Sequence, residues 1–112
     1  MRSLWSKGFG RLHCDAEVIE EDSGKVFLLA TVEFETRTLY TGKQYAQRVT
    51  FRSFDDQDIA RVSELRKGVY MLFDGDTDAV AEKSATGWWY ANPRVTGRII
   101  EVMDYASDPI SS

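Results

Sequence analysis

Apolar and polar side chains alternate along residues 26–35 and again along residues 45–53. This two-residue period is typical of β-strands with one buried face. Residues 4–12 predict a further strand, with a bend or bulge at its glycines. The side chains expected to face the core are Val26, Leu28, Ala30, Val32 and Phe34 in one strand and Tyr45, Val49 and Phe51 in the next. On the opposite face of the second strand, the side chains expected to face solvent or a ligand are Ala46, Arg48, Thr50 and Arg52.

The second half of the chain predicts one helix followed by two strands. Asp55 or Asp56 can cap the helix, Asp58 favours its positive end, and Gly68 can end it after Lys67. The apolar stripe of this helix consists of Ile59, Val62 and Leu65. The remaining residues are expected to form a short strand over 69–73 and a hairpin with a polar, hydrated excursion over 74–87. A last strand over 88–102 would be interrupted at Pro93.

The order of three strands, one helix and two strands predicts the fold class. It matches an all-β fold, the five-stranded OB-fold Greek-key barrel, with one helix between strands 3 and 4. The 112 residues suffice for one core, and neither a repeat nor a linker divides them. Residues 1–103 are therefore expected to form one domain, and residues 104–112 a short, flexible acidic tail.

Composition excludes several function classes. With 43% hydrophobic and 29% charged residues, the chain is typical of a globular protein. No apolar run approaches the roughly 20 residues that cross a bilayer, so no membrane partner is expected. The single cysteine, Cys14, cannot form a disulfide within the chain, which favours a reducing, cytoplasmic setting.

No cofactor, metal or catalytic group is expected either. The acidic residues 74–78 resemble the start of a calcium loop, but Ala79 and Ala85 stand where that loop needs glycine and glutamate. His13 and Cys14 would point to opposite faces of one strand, which argues against a nucleophilic pair. We therefore expect a protein that is not an enzyme.

Charge is distributed unevenly along the chain. The formal net charge is −4, and residues 101–112 account for most of it with three acidic residues and no base. Residues 36–54 contain no acid, and their basic and aromatic side chains are interleaved: Arg37, Tyr40, Lys43, Tyr45, Arg48, Phe51, Arg52 and Phe54. Cations can neutralise phosphates while rings stack on bases, which suits a single-stranded nucleic acid. The alternative is an exposed hairpin whose arginines are merely solvated.

Several short motifs in a set order resemble bacterial single-stranded-DNA-binding proteins over residues 4–102. The motifs are Gly10-Arg11-Leu12, Asp22-Ser23-Gly24-Lys25-Val26, Arg48-Val49-Thr50-Phe51, Leu65-Arg66-Lys67-Gly68 and Val69-Tyr70-Met71-Leu72-Phe73-Asp74-Gly75. The resemblance implies an OB-fold that binds single-stranded DNA with little sequence preference in replication, recombination or repair. It also implies a homodimer or homotetramer, and replication or repair proteins as partners of the acidic tail.

The chain differs from that family at the positions where tryptophans stack on bases, which hold Arg37, Ala46, Arg52 and Glu82. Arginine can both stack on a base and pair with a phosphate. Which of Trp88 and Trp89 faces a ligand stays open, because neighbours in a strand point to opposite faces. The residues expected to bind DNA are Arg37, Tyr40, Lys43, Tyr45, Arg48, Arg52, Phe54, Trp88 and Trp89. The alternative function is a protein–protein interaction module, or a replication accessory resembling primosomal replication protein N.

Overall fold

Strands make up most of the chain in the computed structural model, which describes residues 4–38, 44–87 and 89–104. For residues 4, 34–38, 44–47, 80, 82 and 89–92 the description covers the backbone. The strands are β1 (Leu4–Leu12), β2 (Glu17–Glu20), β3 (Val26–Thr38), β4 (Gln44–Ser53), β5 (Tyr70–Lys83) and β6 (Trp89–Met103). Between β4 and β5 lie one turn of α-helix, α1 (Asp56–Ile59), and a 3-10 turn, Val62–Glu64.

Five of the strands close into a barrel. They are hydrogen-bonded in the order β1, β5, β6, β4, β3, and β3 returns to β1 where Arg11 and Leu12 lie opposite Glu33 and Val32. β2 is an extra strand that pairs with the start of β3. β4 and β6 run parallel, whereas the other neighbours are antiparallel. The all-β OB-fold prediction is confirmed, including the helical segment between the third and fourth barrel strands.

The barrel interior contains the apolar side chains that alternation predicted. The buried residues include Leu12, Leu28, Ala30, Val32, Val49, Phe51, Leu65, Met71, Phe73 and Val95. The rings of Phe51 and Phe73 pack with their centroids 4.9 Å apart. Ile59 and Val62 pack against this core beside Leu65, so the predicted apolar stripe is confirmed. The prediction for Val26 is wrong: it is exposed, because it begins β3 opposite Glu20, beyond the barrel proper.

Two glycines permit close approach of strands. A Cβ atom on Gly10 would lie 2.5 Å from the carbonyl oxygen of Glu33, at the place where β1 meets β3 and closes the barrel. A Cβ atom on Gly97 would overlap the carbonyl oxygen of Asp74, because Gly97 lies directly opposite Gly75 in the β5–β6 pair. Closure of the barrel between β1 and β3 therefore depends on the absence of a side chain at Gly10, and the close pairing of β5 with β6 depends on its absence at Gly97.

The helix prediction is right in place and wrong in length. Asp55 caps α1 by accepting hydrogen bonds from the backbone N–H groups of Gln57 and Asp58. The expected helix up to Lys67 does not form, because the chain at residues 65–69 bonds to the end of β1 and the bend after it instead. Asp58 was expected to act through the helix dipole, but its carboxylate is buried among hydrogen-bond donors of the barrel.

The strand predictions near the two ends of the barrel need correction. The first predicted strand, residues 4–12, coincides with β1, but His13 and Cys14 lie in a bend before β2 and do not share a strand as expected. The hydrated excursion at residues 74–87 is also wrong, since β5 continues to Lys83 and pairs with β6 residue by residue. The last strand is not interrupted at Pro93, which lies just before β6 begins its pairing with β4 at Arg94.

Candidate nucleic-acid interface

The outward residues of four adjacent strands form one continuous surface, here called the outer face. The register places Arg48, Thr50 and Arg52 of β4 between Glu33, Thr31 and Leu29 of β3 on one side and the residues of β6 on the other. The intervening Val49, Phe51 and Val95 are buried in the barrel. The members of the outer face are Leu29, Thr31, Glu33, Arg48, Thr50, Arg52, Asp76, Asp78, Arg94 and Thr96.

Charge on the outer face is arranged in columns that follow the strands. The two central strands carry the cations Arg48, Arg52 and Arg94. Carboxylates lie to either side, with Glu33 on β3 and the acidic residues on β5. Adjacent strands are about 4.8 Å apart, so the parallel β4–β6 seam forms a narrow basic strip between two acidic borders.

Arg52 lies at one end of this strip, opposite Thr96 of β6. Its Nε donates a hydrogen bond of 3.1 Å to the hydroxyl of Thr96 across the seam. Burial lowers the pKa of Arg52, as does the positive charge of Arg94, while the carboxylates of Asp78 and Glu21 oppose that shift. Arginine nevertheless remains protonated in proteins. Among the described residues Arg52 forms no ion pair with a carboxylate, so its charge remains available to an external anion.

Two phenylalanine rings form cation–π contacts with the guanidinium of Arg52. Its central carbon lies 5.9 Å from the ring centroid of Phe27 and 5.5 Å from that of Phe54. These two rings contact each other at 5.3 Å, and the ammonium of Lys25 lies 5.2 Å from the centroid of Phe54. The cation–π contacts hold the side chain of Arg52 in place without neutralising its charge.

Arg48, unlike Arg52, forms an ion pair with a carboxylate, that of Glu33. Its Nε donates to Oε1 of Glu33 at 3.1 Å, and the same carboxylate contacts Nδ1 of His13 at 2.7 Å and the guanidinium of Arg11 at 3.4 Å. Partial burial raises the pKa of Glu33, but the hydrogen bonds from Arg48, His13 and Arg11 outweigh it and hold that pKa below its ordinary value. About half of the Arg48 side chain remains exposed (51%).

The acidic residues of β5 neutralise a different arginine. Arg94 donates two hydrogen bonds to the carboxylate of Asp78, of 3.0 and 2.7 Å. The bond from Arg94 lowers the pKa of Asp78, and the carboxylate in turn raises the pKa of Arg94. Pairing of residues 74–78 with Arg48 or Arg52 would have argued against a polyanion on this face. Among the described ion pairs these acids contact neither.

The structure brings together only part of the predicted site. Arg48, Arg52 and Phe54 lie at or beside the outer face. The backbones of Arg37 and Tyr45 lie opposite each other in the β3–β4 ladder, and Trp89 lies opposite Lys83 in the β5–β6 ladder, but these side chains are outside the description. The other three predicted site residues lie outside the described residues: Tyr40, Lys43 and Trp88.

Sequence reasoning missed four contributors to this site: Lys25, Phe27, Arg94 and Thr96. Phe27 carried a signal, because it precedes the core residue Leu28 and therefore alternates onto the outward side of β3. Arg94 and Thr96 reach the site only through the parallel pairing of β4 with β6, for which the local pattern has no signal.

Neither a metal centre nor a membrane helix is evident in the described part of the chain. Its His, Cys, Asp and Glu side chains form no group of three or more that could hold a metal ion. None of the helices in residues 4–38, 44–87 and 89–104 is long and apolar enough to span a bilayer. The outer face is thus defined by its arginines, hydroxyls and flanking carboxylates.

The fold and the outer face define an OB-fold barrel with a basic strip across its sheet. No protein-family model matches the sequence, and no curated protein matches it. Solved structures do match in fold. A small single-stranded DNA-binding protein from Streptomyces coelicolor superposes with a TM-score of 0.67 at 9% identity, covering 95% of this chain and 98% of that one.

Two further structures are similar at comparable coverage. The SSB of Plasmodium falciparum in complex with ssDNA gives a TM-score of 0.62 at 13% identity, over 92% of this chain and 96% of that one. The mitochondrial single-stranded DNA binding protein Rim1 of S. cerevisiae gives 0.56 at 16% identity, over 91% and 94%. At these identities the likeness establishes a shared fold.

Proposed function

We propose that this chain binds single-stranded DNA with little sequence preference across its outer face. The observation that carries the proposal is the arrangement around Arg52, an arginine supported by two phenylalanine rings and free of carboxylate partners among the described residues. OB-folds bind oligonucleotides across this face of the barrel. The names of the three similar structures, each a single-stranded DNA-binding protein, support the same proposal.

Binding rests on phosphate contacts and stacking. Arg48 and Arg52 are four residues apart on the same face of β4 and can contact phosphates along the β4–β6 seam. The planar guanidinium of Arg52 offers a stacking surface to a base on the side away from its rings. We propose that Arg37, Tyr40, Lys43, Tyr45, Phe54, Trp88 and Trp89 extend the site. Contacts of these kinds recognise charge and ring faces, so little sequence preference is expected.

The wider role that we propose is in DNA replication, recombination or repair, without catalysis and without a cofactor. Residues 1–103 would be the binding domain, and the acidic residues 104–112 would recruit replication or repair proteins. Cys14, exposed and unpaired, suits a reducing cytoplasmic setting.

Self-association into a homodimer or homotetramer is part of this proposal. Two large apolar side chains on β1 are exposed, Trp5 to 66% and Phe9 to 44%, and Phe9 stacks on Tyr70 of β5 at 5.5 Å. A second copy of the chain could bury this surface, since aromatic residues are enriched at interfaces. Light scattering at micromolar concentration is expected to give at least twice the mass of one chain, and Trp5→Ser is expected to reduce it.

The test is a titration of a fluorescein-labelled oligo-dT, followed by anisotropy at several salt concentrations. The logarithm of the association constant should fall with the logarithm of salt by about 0.7 per phosphate contact. Arg48→Ala combined with Arg52→Ala should reduce that slope by about 1.4, equivalent to about 25-fold weaker binding at about 0.1 M salt.

The matched control removes two arginines outside the outer face, Arg61→Ala with Arg66→Ala, and should leave the slope nearly unchanged. Absence of binding at low salt, or equal effects of the two double variants, would contradict the proposal. The second candidate, a protein–protein interaction module, is favoured by the exposed acidic residues on β5, Asp76 and Asp78. A chain that binds no oligonucleotide at low salt would support it.

A further inference from the structure

Glu33 occupies an unusual position for one carboxylate, since three cationic or titratable side chains contact it. It lies on β3 directly between Arg48 of β4 and Arg11 of β1 in the strand register. Oε1 contacts His13 at 2.7 Å and Arg48 at 3.1 Å, and Oε2 contacts Arg11 at 3.4 Å. A single ion pair would need one partner only, so the surplus of donors points to an additional role.

Arg11, His13 and Glu33 line a surface cleft of about 300 Å³ together with Lys67 and Gly68, and Arg48 adjoins this cleft through its contact with Glu33. The permanent cations Arg11, Arg48 and Lys67 outnumber the carboxylate of Glu33 in and beside this cleft. A further acid, Asp15, accepts a hydrogen bond from the backbone N–H of Lys67 at 2.8 Å. With Arg48 counted beside the cleft, these permanent cations outnumber the carboxylates of Glu33 and Asp15.

Exposure differs between the carboxylate and its partners. The side chains of Arg11, His13 and Arg48 are 55%, 41% and 51% exposed, whereas that of Glu33 is 16% exposed. An anion that approaches from solvent meets the cations before it meets the carboxylate. Because each ion pair has a partner that is about half exposed to solvent, water and salt screen the attraction, and a phosphate that contacts the same cations can compete with Glu33.

We infer that Glu33 occupies, from within the chain, a phosphate subsite formed by Arg11, His13 and Arg48, and that a bound DNA strand displaces it. This inference rests on the proposed function and extends it. Because Arg48 belongs to the outer face and contacts Glu33 of the cleft, a strand that leaves Arg52 passes Arg48 and continues across β3 towards the end of β1. The path adds two strand spacings, about 10 Å, and ends at a site whose ligand is a phosphodiester.

The decisive variant is Glu33→Gln, which keeps the shape and removes the competing charge. It should bind oligo-dT about fivefold more tightly at about 0.1 M salt and steepen the salt slope by about 0.7, the effect of one added phosphate contact. The matched control is Glu64→Gln, which also removes a carboxylate paired with an arginine, Arg61, and neither of these two residues lines the cleft. It should change binding less than twofold, whereas adding Arg11→Gln to Glu33→Gln should abolish the gain.

A second readout follows the cleft directly. His13 is the single histidine of the sequence, so its imidazole proton NMR signals report on the cleft without labelling. Oligo-dT should shift these signals in the wild type and more strongly in Glu33→Gln, while inorganic phosphate at the same phosphate concentration should not. Saturation by inorganic phosphate alone at that concentration would overturn the assignment to a DNA strand.

Failure of this inference is distinguishable from failure of the proposed function. Oligo-dT binding that weakens in Arg48→Ala/Arg52→Ala but responds equally to Glu33→Gln and Glu64→Gln would overturn the subsite and leave the outer face intact. Unshifted His13 signals at saturating oligo-dT would have the same meaning. Absence of salt-dependent binding in every variant would overturn both proposals.

Discussion

Replacement of Asp58 by alanine should destabilise the barrel more than any other single carboxylate change that we consider. The side chain is almost fully buried (4% exposed) and accepts two hydrogen bonds, from the hydroxyl of Ser53 at 2.6 Å and from the backbone N–H of Ile99 at 3.1 Å. Nε of Arg98 lies 3.4 Å from the same oxygen. Asp58 thus joins α1 to the end of β4 and to β6.

The magnitude follows from the groups that the variant leaves without partners. Loss of an acceptor costs about 1–3 kcal/mol for each buried donor left unsatisfied, and Asp58→Ala orphans the hydroxyl of Ser53 and the N–H of Ile99. With the lost contact to Arg98, we expect the free energy of unfolding to fall by about 3–5 kcal/mol. That loss is a large part of the roughly 5–15 kcal/mol available to a small domain. Asp58→Asn retains one acceptor oxygen and should cost about 1–2 kcal/mol.

Urea unfolding followed by circular dichroism measures these differences, with the midpoint expected to fall at an unchanged denaturant slope. The matched control is Asp56→Ala, an exposed carboxylate in the same turn of helix, which should cost less than about 1 kcal/mol. If Asp58→Ala and Asp56→Ala were equally stable, the hydrogen bonds of Asp58 would not hold α1 against the barrel, and the reasoning would be refuted.

Three further outcomes are expected. Gly97→Ala should abolish the cooperative unfolding transition, because a Cβ atom would overlap the opposite strand. Gly24 has open space around it at φ +87°, so Gly24→Ala should lower the free energy of unfolding by only about 1–2 kcal/mol in the same urea assay. The pKa of Glu33 is lowered because hydrogen bonds from its cationic neighbours outweigh its partial burial. The contribution of Glu33 to stability is therefore present above its unfolded-state pKa and is lost as pH falls through its folded-state pKa. Acid should thus lower the free energy of unfolding more in the wild type than in Glu33→Gln. Equal sensitivity of the two proteins to acid in pH-dependent unfolding would contradict this. Phe54→Leu should weaken oligo-dT binding about two- to fivefold, because it removes a ring that contacts the guanidinium of Arg52. This magnitude corresponds to about 0.5–1 kcal/mol for an exposed cation–π contact. An unchanged anisotropy titration would show that the ring does not contribute to binding.

Much of the barrel could be predicted from the order of residues along the chain. The two-residue period of β3 and β4 identified Leu28, Ala30, Val32, Val49 and Phe51 as core residues, and each is buried. The same alternation predicted Arg48 and Arg52 for the outward side of β4. Local chemistry also predicted Asp55 as the helix cap. These features succeeded because each depends on neighbours within a few positions of the chain.

The local pattern was misleading where distant strands compete for the same backbone. The acidic run after Phe73 was interpreted as a hydrated turn, yet β6 supplies Arg94 opposite Asp78 and makes a long strand favourable. The helix ends early because Leu65 and Val69 bond to the chain in and just after β1. In each case a hydrogen bond between residues far apart in sequence overrode a local preference.

Residue periodicity alone determined which side of each strand is apolar, and the order of elements determined the class of barrel. Only the tertiary structure decided which charges meet. Thr96 contacts Arg52, which is 44 positions away in the sequence, and Arg11, His13 and Arg48 converge on Glu33 from two other strands and a bend. The physical reason is that side-chain period is a property of one strand, whereas the pairing of charges depends on the register between strands, which closure of the whole barrel sets.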